Sequence, residues 1–153
     1  TVCPVILAGK NKLIKAFLDY GRWLGIAIQH RDDILDYIGE DKVMGKPPFQ
    51  DLLNAQPNLV TAYLFSNIQH NAGGLKIFKN HWGAYCKKDG HPKVTAKMQG
   101  DIIYLIESTD ALGKSIKHLK ECCNNATKSL NGVDQYDKSD LVDFASLVSE
   151  IER

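Results

Sequence analysis

At 153 residues the chain has the length of one domain with a substantial core. Lys plus Arg number 19 against 18 Asp plus Glu, so bulk charge gives no argument for nucleic acid or a charged membrane surface as partner. Hydrophobic residues make up 44%, an ordinary share for a globular protein. No apolar run nears the roughly 20 residues that span a bilayer. Cys3, Cys86, Cys122 and Cys123 show no CxxC spacing, and sequence neighbours such as Cys122 and Cys123 rarely pair, so the set reads as free thiols in a reducing compartment.

The chain begins at Thr1 with an apolar stretch already under way, which reads as a fragment of something longer whose targeting information is absent. The run 2–8 ends at Gly9 and is too short to assign by period; it fits the end of a helix. Gly9, Lys10 and Asn11 read as a turn. From Lys12 onward Leu13, Phe17, Tyr20, Leu24, Ile28 and Leu35 recur at spacings of three, four and seven, which predicts one long helix over 12–38. Gly21 and Gly25 inside it each cost about 1 kcal/mol relative to Ala, so close packing or ligand access is the expected reason for them.

Residues 39–50 read as a loop, with Gly39 suited to a left-handed cap and Pro47 and Pro48 blocking resumption of the helix. A short turn is expected over 51–55. Pro57 suits the first position of a helix over 57–71, which Asn71, Ala72, Gly73 and Gly74 would end. A further short helix is expected over 75–82. The stretch 84–92 is irregular, with a turn at 87–90. One or two helices are expected between 94 and 130, carrying Met98, Ile102, Leu105, Ile106, Leu112, Ile116, Leu119 and Cys123. Asn131 and Gly132 break that pattern. Ser139 is positioned to cap a last helix with Asp140 in its first turn. Nothing alternates with period two, and there is no repeat. The fold class is all-α, a helical bundle forming a single domain over 1–153.

The stretch from Gly21 to Lys46, GRWLGIAIQHRDDILDYIGEDKVMGK, carries the chemistry. At about 100° per residue, with Asp32 at the origin, Gly25 falls near 20°, Asp36 near 40°, Gln29 near 60°, Arg22 near 80° and Asp33 near 100°. Trp23, Leu24, Ala27, Ile28, Ile34, Leu35 and Ile38 take the opposite side. The helix is therefore expected to be buried along one arc and loaded with like charge along the other. Asp32 and Asp36 are i,i+4 neighbours of the same sign, which weakens a helix unless something compensates. A hard cation such as Mg²⁺ would, because it binds through one or two carboxylates while keeping water and phosphate oxygens. The pattern DDxxD alone is short, and most acidic clusters are solvated faces. Here it has a Gln one turn upstream, small residues above it, and a Gly-Lys pair, Gly45-Lys46, ten residues beyond Asp36.

The combination G-x-x-L-G-x-A-x-Q-x-x-D-D-x-L-D-Y followed by G-K-P-x-x-x-D-L resembles the second aspartate-rich region of trans-isoprenyl (polyprenyl) diphosphate synthases. The match is strong over 20–52 and weaker to the C-terminus. The resemblance implies an isoprenoid-synthase-type fold and a Mg²⁺-dependent transferase that adds isopentenyl diphosphate to an allylic diphosphate. It implies that Asp32, Asp33 and Asp36 are catalytic metal-binding carboxylates, that Gln29 orients by hydrogen bonding, and that Lys46 contacts diphosphate. A homodimer, or pairing with another synthase chain, follows from the same likeness, and the compartment is left between cytoplasm and mitochondrion. Ile28 and His30 depart from the family's aromatic and apolar residues on either side of the glutamine, and Asn58-Leu59-Val60 replaces its Thr-Leu-Pro. Arg31 falls within the apolar arc with no account from the sequence. The family's other aspartate-rich region is not among these residues, so the chain reads as the C-terminal half of a synthase and as inactive alone. The alternatives are a non-catalytic prenyltransferase-like domain that binds a diphosphate or a synthase partner, and a helical interaction domain whose Asp cluster faces solvent. His81, Cys86 and His91 suggest zinc only loosely, since a structural site needs four ligands at tighter spacing. The lysines at 76, 79, 87, 88, 93 and 97 read as solvated surface.

Overall fold

The run of apolar residues at spacings of three and four after Leu13 produces the longest element, a helix of 25 residues that follows a single 3₁₀ turn at Asn11–Leu13. The computed structural model describes residues 3–38, 48–84, 86 and 94–151. Among them the helices are α1 (Cys3–Leu7), α2 (Ile14–Ile38), α3 (Gln50–Leu53), α4 (Leu59–Ile68), α5 (Ala72–His81), α6 (Ala96–Thr109), α7 (Ala111–Ser129) and α8 (Ser139–Ser149), and no strand is present among the described residues. The all-α class expected from the periodicity is the class observed. Contacts gather the chain into two compact units, Thr1–Arg31 with Ile116–Arg153, and Asp32–Ser115. The division falls within α2 and within α7.

In the first unit, α1 lies against the 3₁₀ turn, and the chain passes between them through Gly9, whose φ of 66° is one that a side chain would strain. Tyr20, Leu24 and Ala27 of α2, Leu119, Cys122 and Ala126 of α7, and Ala145 and Val148 of α8 are buried. Two side chains of α2 tie it to the α8 segment by hydrogen bonds. The Tyr20 hydroxyl donates to the Leu141 carbonyl at 2.7 Å. Arg31 Nη1 donates to the carbonyls of Leu147 at 2.9 Å, Val148 at 3.2 Å and Glu150 at 2.9 Å. The last carbonyls of a helix have no partner within it and carry partial negative charge, so a guanidinium answers both needs at once. This accounts for a cation in the apolar arc of α2: Arg31 faces the end of another helix. Because early positions of α2 meet the start of α8 and later ones meet its end, the two helices run parallel.

Ser139, expected as the cap of α8, is instead its first residue. The Asp137 carboxylate accepts from both the Ser139 N–H at 2.9 Å and its hydroxyl at 2.8 Å, and so satisfies the helix start from outside. Those hydrogen bonds hold the Asp137 carboxyl below its ordinary pKa.

In the second unit α4, α5 and α6 pack pairwise. Their starts differ from the sequence expectation, and each difference is a matter of capping. The predicted helix over 57–71 begins at Leu59, because Asn58 caps it: its side chain accepts from the Thr61 N–H at 2.8 Å while Thr61 Oγ1 accepts from the Asn58 N–H at 2.9 Å. Pro57 therefore precedes the cap rather than opening the helix. Asn71 does not end that helix but caps α5, accepting from the Gly74 N–H at 3.0 Å, so Ala72, Gly73 and Gly74 form its first turn. Between 94 and 130 there are two helices. Asp110 stands between them at a φ of 50°, and a Cβ on Gly113 would lie 2.2 Å from Asp110 Oδ1, so a glycine is what lets that carboxylate sit over the start of α7.

The Arg31 contacts lead to a stability prediction. Arg31→Met keeps the apolar stem and removes the donors, and it should cost about 1–3 kcal/mol, the scale of hydrogen bonds to a charged group. Arg31→Lys should recover only part of that, because a compact ammonium lacks the planar fork. Urea unfolding measures both, and a Met variant within about 0.5 kcal/mol of the parent would show that the cap contributes nothing.

Candidate functional site

Near the end of α2, Asp32, Asp33 and Asp36 fall within about 100° of one another around the helix, yet their surroundings differ. Asp32 is exposed. Asp33 and Asp36 are buried, at 6% and 2% exposure. The expected face of three open carboxylates is therefore divided, and the reason is backbone demand. The Asp36 carbonyl accepts the Phe49 N–H at 2.8 Å, its Oδ1 accepts the Gln50 N–H at 3.1 Å, and its Oδ2 accepts the Asp51 N–H at 3.1 Å. Three successive amides are thus held by one residue. Asp33 Oδ2 accepts the Leu59 N–H at 2.9 Å, placing a carboxylate at the start of α4, where exposed amides and the helix dipole favour negative charge.

These two anchors are joined. Asp51, held by Asp36, accepts from Asn58 Nδ2 at 2.8 Å, and Asn58 caps the helix whose first amide Asp33 holds. The connection runs from Asp36 through Asp51 and Asn58 to α4 and back to Asp33. Phe49 closes the tight return at a φ of 65°, an uncommon conformation for a bulky residue, while its side chain is buried at 4% exposure. Tyr37 is buried beside it, with ring centroids 5.9 Å apart. Burial pushes the Tyr37 phenol far above its usual pKa; the nearby Asn58 side chain opposes this, and the charges of Asp36, Asp51 and Asp33 reinforce it.

Of the residues singled out from the sequence, Gln29 is exposed on α2, four positions before Asp33. Gly25 is also exposed, and a Cβ there would meet nothing within 4 Å, so close packing is not what requires a glycine at that position. Lys46 and the rest of 39–47 lie outside the described residues. The chain leaves α2 at Ile38 and is back against Asp36 by Phe49. Among the loose zinc candidates, His81 is 9% exposed with its Nε2 2.9 Å from Asp101 Oδ2, and Cys86 donates to the Asn54 carbonyl at 3.5 Å; His91 lies outside the described residues. Asn58, Asp51 and Tyr37 are given no role in the sequence reading, although Tyr37 and Asp51 stand in the motif itself. Asn58 with Thr61 three residues on is a capping signal, and Pro57 obscured it.

The buried phenol gives a pH prediction. Its folded pKa is raised, so the protein binds that proton more tightly folded than unfolded. The resulting stability is fully present below the unfolded pKa of about 10 and is lost as pH rises above it. Tyr20, whose pKa burial also raises, adds to the same loss. Tyr37→Phe should leave stability near neutral pH little changed and flatten its fall between about pH 9 and 11. Urea midpoints at the two ends test this; an unchanged alkaline slope would refute it.

The chain is similar to several known proteins. The sequence profile described as polyprenyl synthetase matches residues 1–91. Octaprenyl diphosphate synthase of Haemophilus influenzae is 40% identical over 55 residues, which is 36% of this chain and 17% of that protein. Heptaprenyl diphosphate synthase component 2 of Geobacillus stearothermophilus is 25% identical over 121 residues, 79% of this chain and 34% of that one. Among solved structures, geranylgeranyl pyrophosphate synthetase of Pyrococcus horikoshii superposes with a TM-score of 0.71 at 25% identity, over 93% of this chain and 40% of that one. The chain thus spans less than half the length of each of these relatives. With a matching profile over more than half its residues and the helices of an all-α isoprenoid synthase, the chain belongs to the polyprenyl synthetase family.

Proposed function

We propose that this chain supplies the diphosphate-binding aspartate-rich helix of a trans-prenyltransferase, which elongates an isoprenoid by adding isopentenyl diphosphate to an allylic diphosphate. The observation that carries this reading is the division of labour at the end of α2: two carboxylates hold backbone, and the third, Asp32, is left exposed. A solvated acidic face has no need of so much buried anchoring behind it.

The donor set suits Mg²⁺, since it is made wholly of carboxylate oxygen, the chemistry a hard cation prefers. In this reading Asp32 meets the cation directly. Asp33 and Asp36 add negative charge from the neighbouring turns while they fasten 49–51 and α4. Gln29 orients the site by hydrogen bonding. Lys46 lies three residues before Phe49, whose amide Asp36 holds, and it would offer its ammonium to a diphosphate oxygen. When bound, Mg²⁺ sets positive charge against the diphosphate oxygens and so lowers the cost of the negative charge that builds as pyrophosphate leaves. The second reading is a chain that works with another synthase chain, as a homodimer or as one component of two. The likeness to a protein named as component 2 of a heptaprenyl diphosphate synthase supports it.

Two substitutions separate binding from anchoring. Asp32→Asn should weaken Mg²⁺-dependent binding of pyrophosphate by about tenfold or more, since losing even an outer-shell partner of a metal costs that much. It should leave stability within about 0.5 kcal/mol or raise it, because it relieves like-charge repulsion on an exposed turn. Asp36→Asn should instead destabilise by about 1–3 kcal/mol, because an amide cannot accept from both amides that the carboxylate holds. Titration calorimetry and urea unfolding read the two effects; undiminished pyrophosphate binding by Asp32→Asn would exclude the site. Incubated alone with Mg²⁺ and both diphosphates, the chain should form no elongated product, because the family's other aspartate-rich region is not among these residues. Product formation at the rate of a full-length synthase would overturn that expectation.

A further inference from the structure

His30 departs from the family pattern, which has an apolar residue after the glutamine, and the prenyltransferase reading gives it no task. The structure gives it neighbours. His118 and Cys122 lie four residues apart on α7, hence on one face of that helix. One ligand atom from each of His30, His118 and Cys122 comes within 4.8 Å of the others, and this is the cluster of His, Cys or carboxylate ligands found among the described residues. The two imidazole rings meet edge to face with centroids 5.1 Å apart. Cys122 is a free thiol at 1% exposure, and both histidines are half-buried. All three belong to the first compact unit.

We propose that His30, His118 and Cys122 form a binding site for a borderline-soft divalent cation of the Zn²⁺ class, joining α2 to α7. The ligand chemistry selects the ion. Two imidazole nitrogens and one sulfur suit Zn²⁺ or Co²⁺ and are poor ligands for Mg²⁺, which prefers oxygen. Bonds of about 2.0–2.3 Å in a tetrahedron put ligand atoms roughly 3.3–3.6 Å apart, so closing the site from the observed separation takes side-chain shifts on the order of 1 Å. Spacing of i,i+4 on one helix with the third ligand from another is an economical way to build such a site, because each helix fixes its own ligands before the metal arrives. Three protein ligands leave the fourth position to water or an exogenous ligand. The site stands apart from the carboxylates in ligand type, and its existence does not depend on the prenyltransferase reading.

Co²⁺ is the probe, because a Co²⁺–thiolate bond gives a charge-transfer band that carboxylate or imidazole binding does not. The reduced, metal-free chain is titrated with Co²⁺ in excess Mg²⁺. The expected result is one Co²⁺ per chain with a thiolate band and the visible bands of tetrahedral Co²⁺, all abolished by an equivalent of Zn²⁺. Cys122→Ser should lose the thiolate band. His30→Asn, a substitution at a half-buried position, should keep the fold by circular dichroism and bind Co²⁺ about tenfold or more weakly. A variant with both Cys3→Ser and Cys86→Ser should retain the full spectrum. Absence of a thiolate band in the parent overturns the proposal, as does a band that survives Cys122→Ser or an affinity unchanged in His30→Asn.

Discussion

The site depends on one residue's hold on three successive amides. Asp36 accepts the Phe49 N–H through its carbonyl and those of Gln50 and Asp51 through its two carboxylate oxygens. Without that hold the chain returning from the loop has no fixed position against α2, and Phe49 has nothing to compensate a left-handed backbone. Asp51 would lose its place as acceptor for Asn58, and Asn58 is what starts α4. Backbone amides are aimed at both oxygens of this buried carboxylate, and such charge-assisted hydrogen bonds help to stabilise it there. Asp33 accepts the first amide of α4 through one carboxylate oxygen.

This arrangement changes what an aspartate cluster means. Three like charges on adjacent turns are unfavourable for a bare helix. When two of them accept amides that need acceptors, the repulsion is offset by hydrogen bonds that the loop and α4 require in any case. The remaining carboxylate, Asp32, is left exposed on the same helix. In the proposed reading this anchoring would matter, because ligands held by their surroundings lose little freedom on binding. The anchoring is one use of the motif, and the proposed chemistry would be a second.

Much of the fold was legible because helical period is a strong local signal. α2 follows from the spacing of Leu13, Phe17, Tyr20 and Leu24, and the break near Asn131 and Gly132 was equally plain. Helix starts were read less well. At Pro57 and at Asn71 two start or stop signals competed within a few residues, and only a hydrogen bond to an amide three positions on decided between them. The candidate site was legible as a motif but not as an environment. Asp32, Asp33 and Asp36 look alike in sequence, and their difference comes from Gln50, Asp51 and Leu59, which reach them only after the chain has turned back. Arg31 was opaque for the same reason: its partners are carbonyls more than a hundred residues away, and backbone acceptors leave no mark in a sequence.

Within α2 the last turns carry three kinds of chemistry in four successive residues. At about 100° per residue, His30 and Asp32 lie some 200° apart around the helix, and Arg31 falls between them on the far side from Asp33. A nitrogen ligand and an oxygen ligand on opposite sides of one helix cannot serve a single small ion. In the two proposals they would serve ions of different hardness without competition, since thiolate and imidazole are poor ligands for Mg²⁺ and carboxylate oxygen holds Zn²⁺ less well than sulfur does. Arg31, bonded to the end of α8, fixes the rotation of α2 between them. A helix rotated by one residue would lose that cap, and it would also turn Asp33 and Asp36 away from the amides they hold. Each unit thus sets the register of its own part of α2, the first through carbonyls that need a cation and the second through amides that need carboxylates.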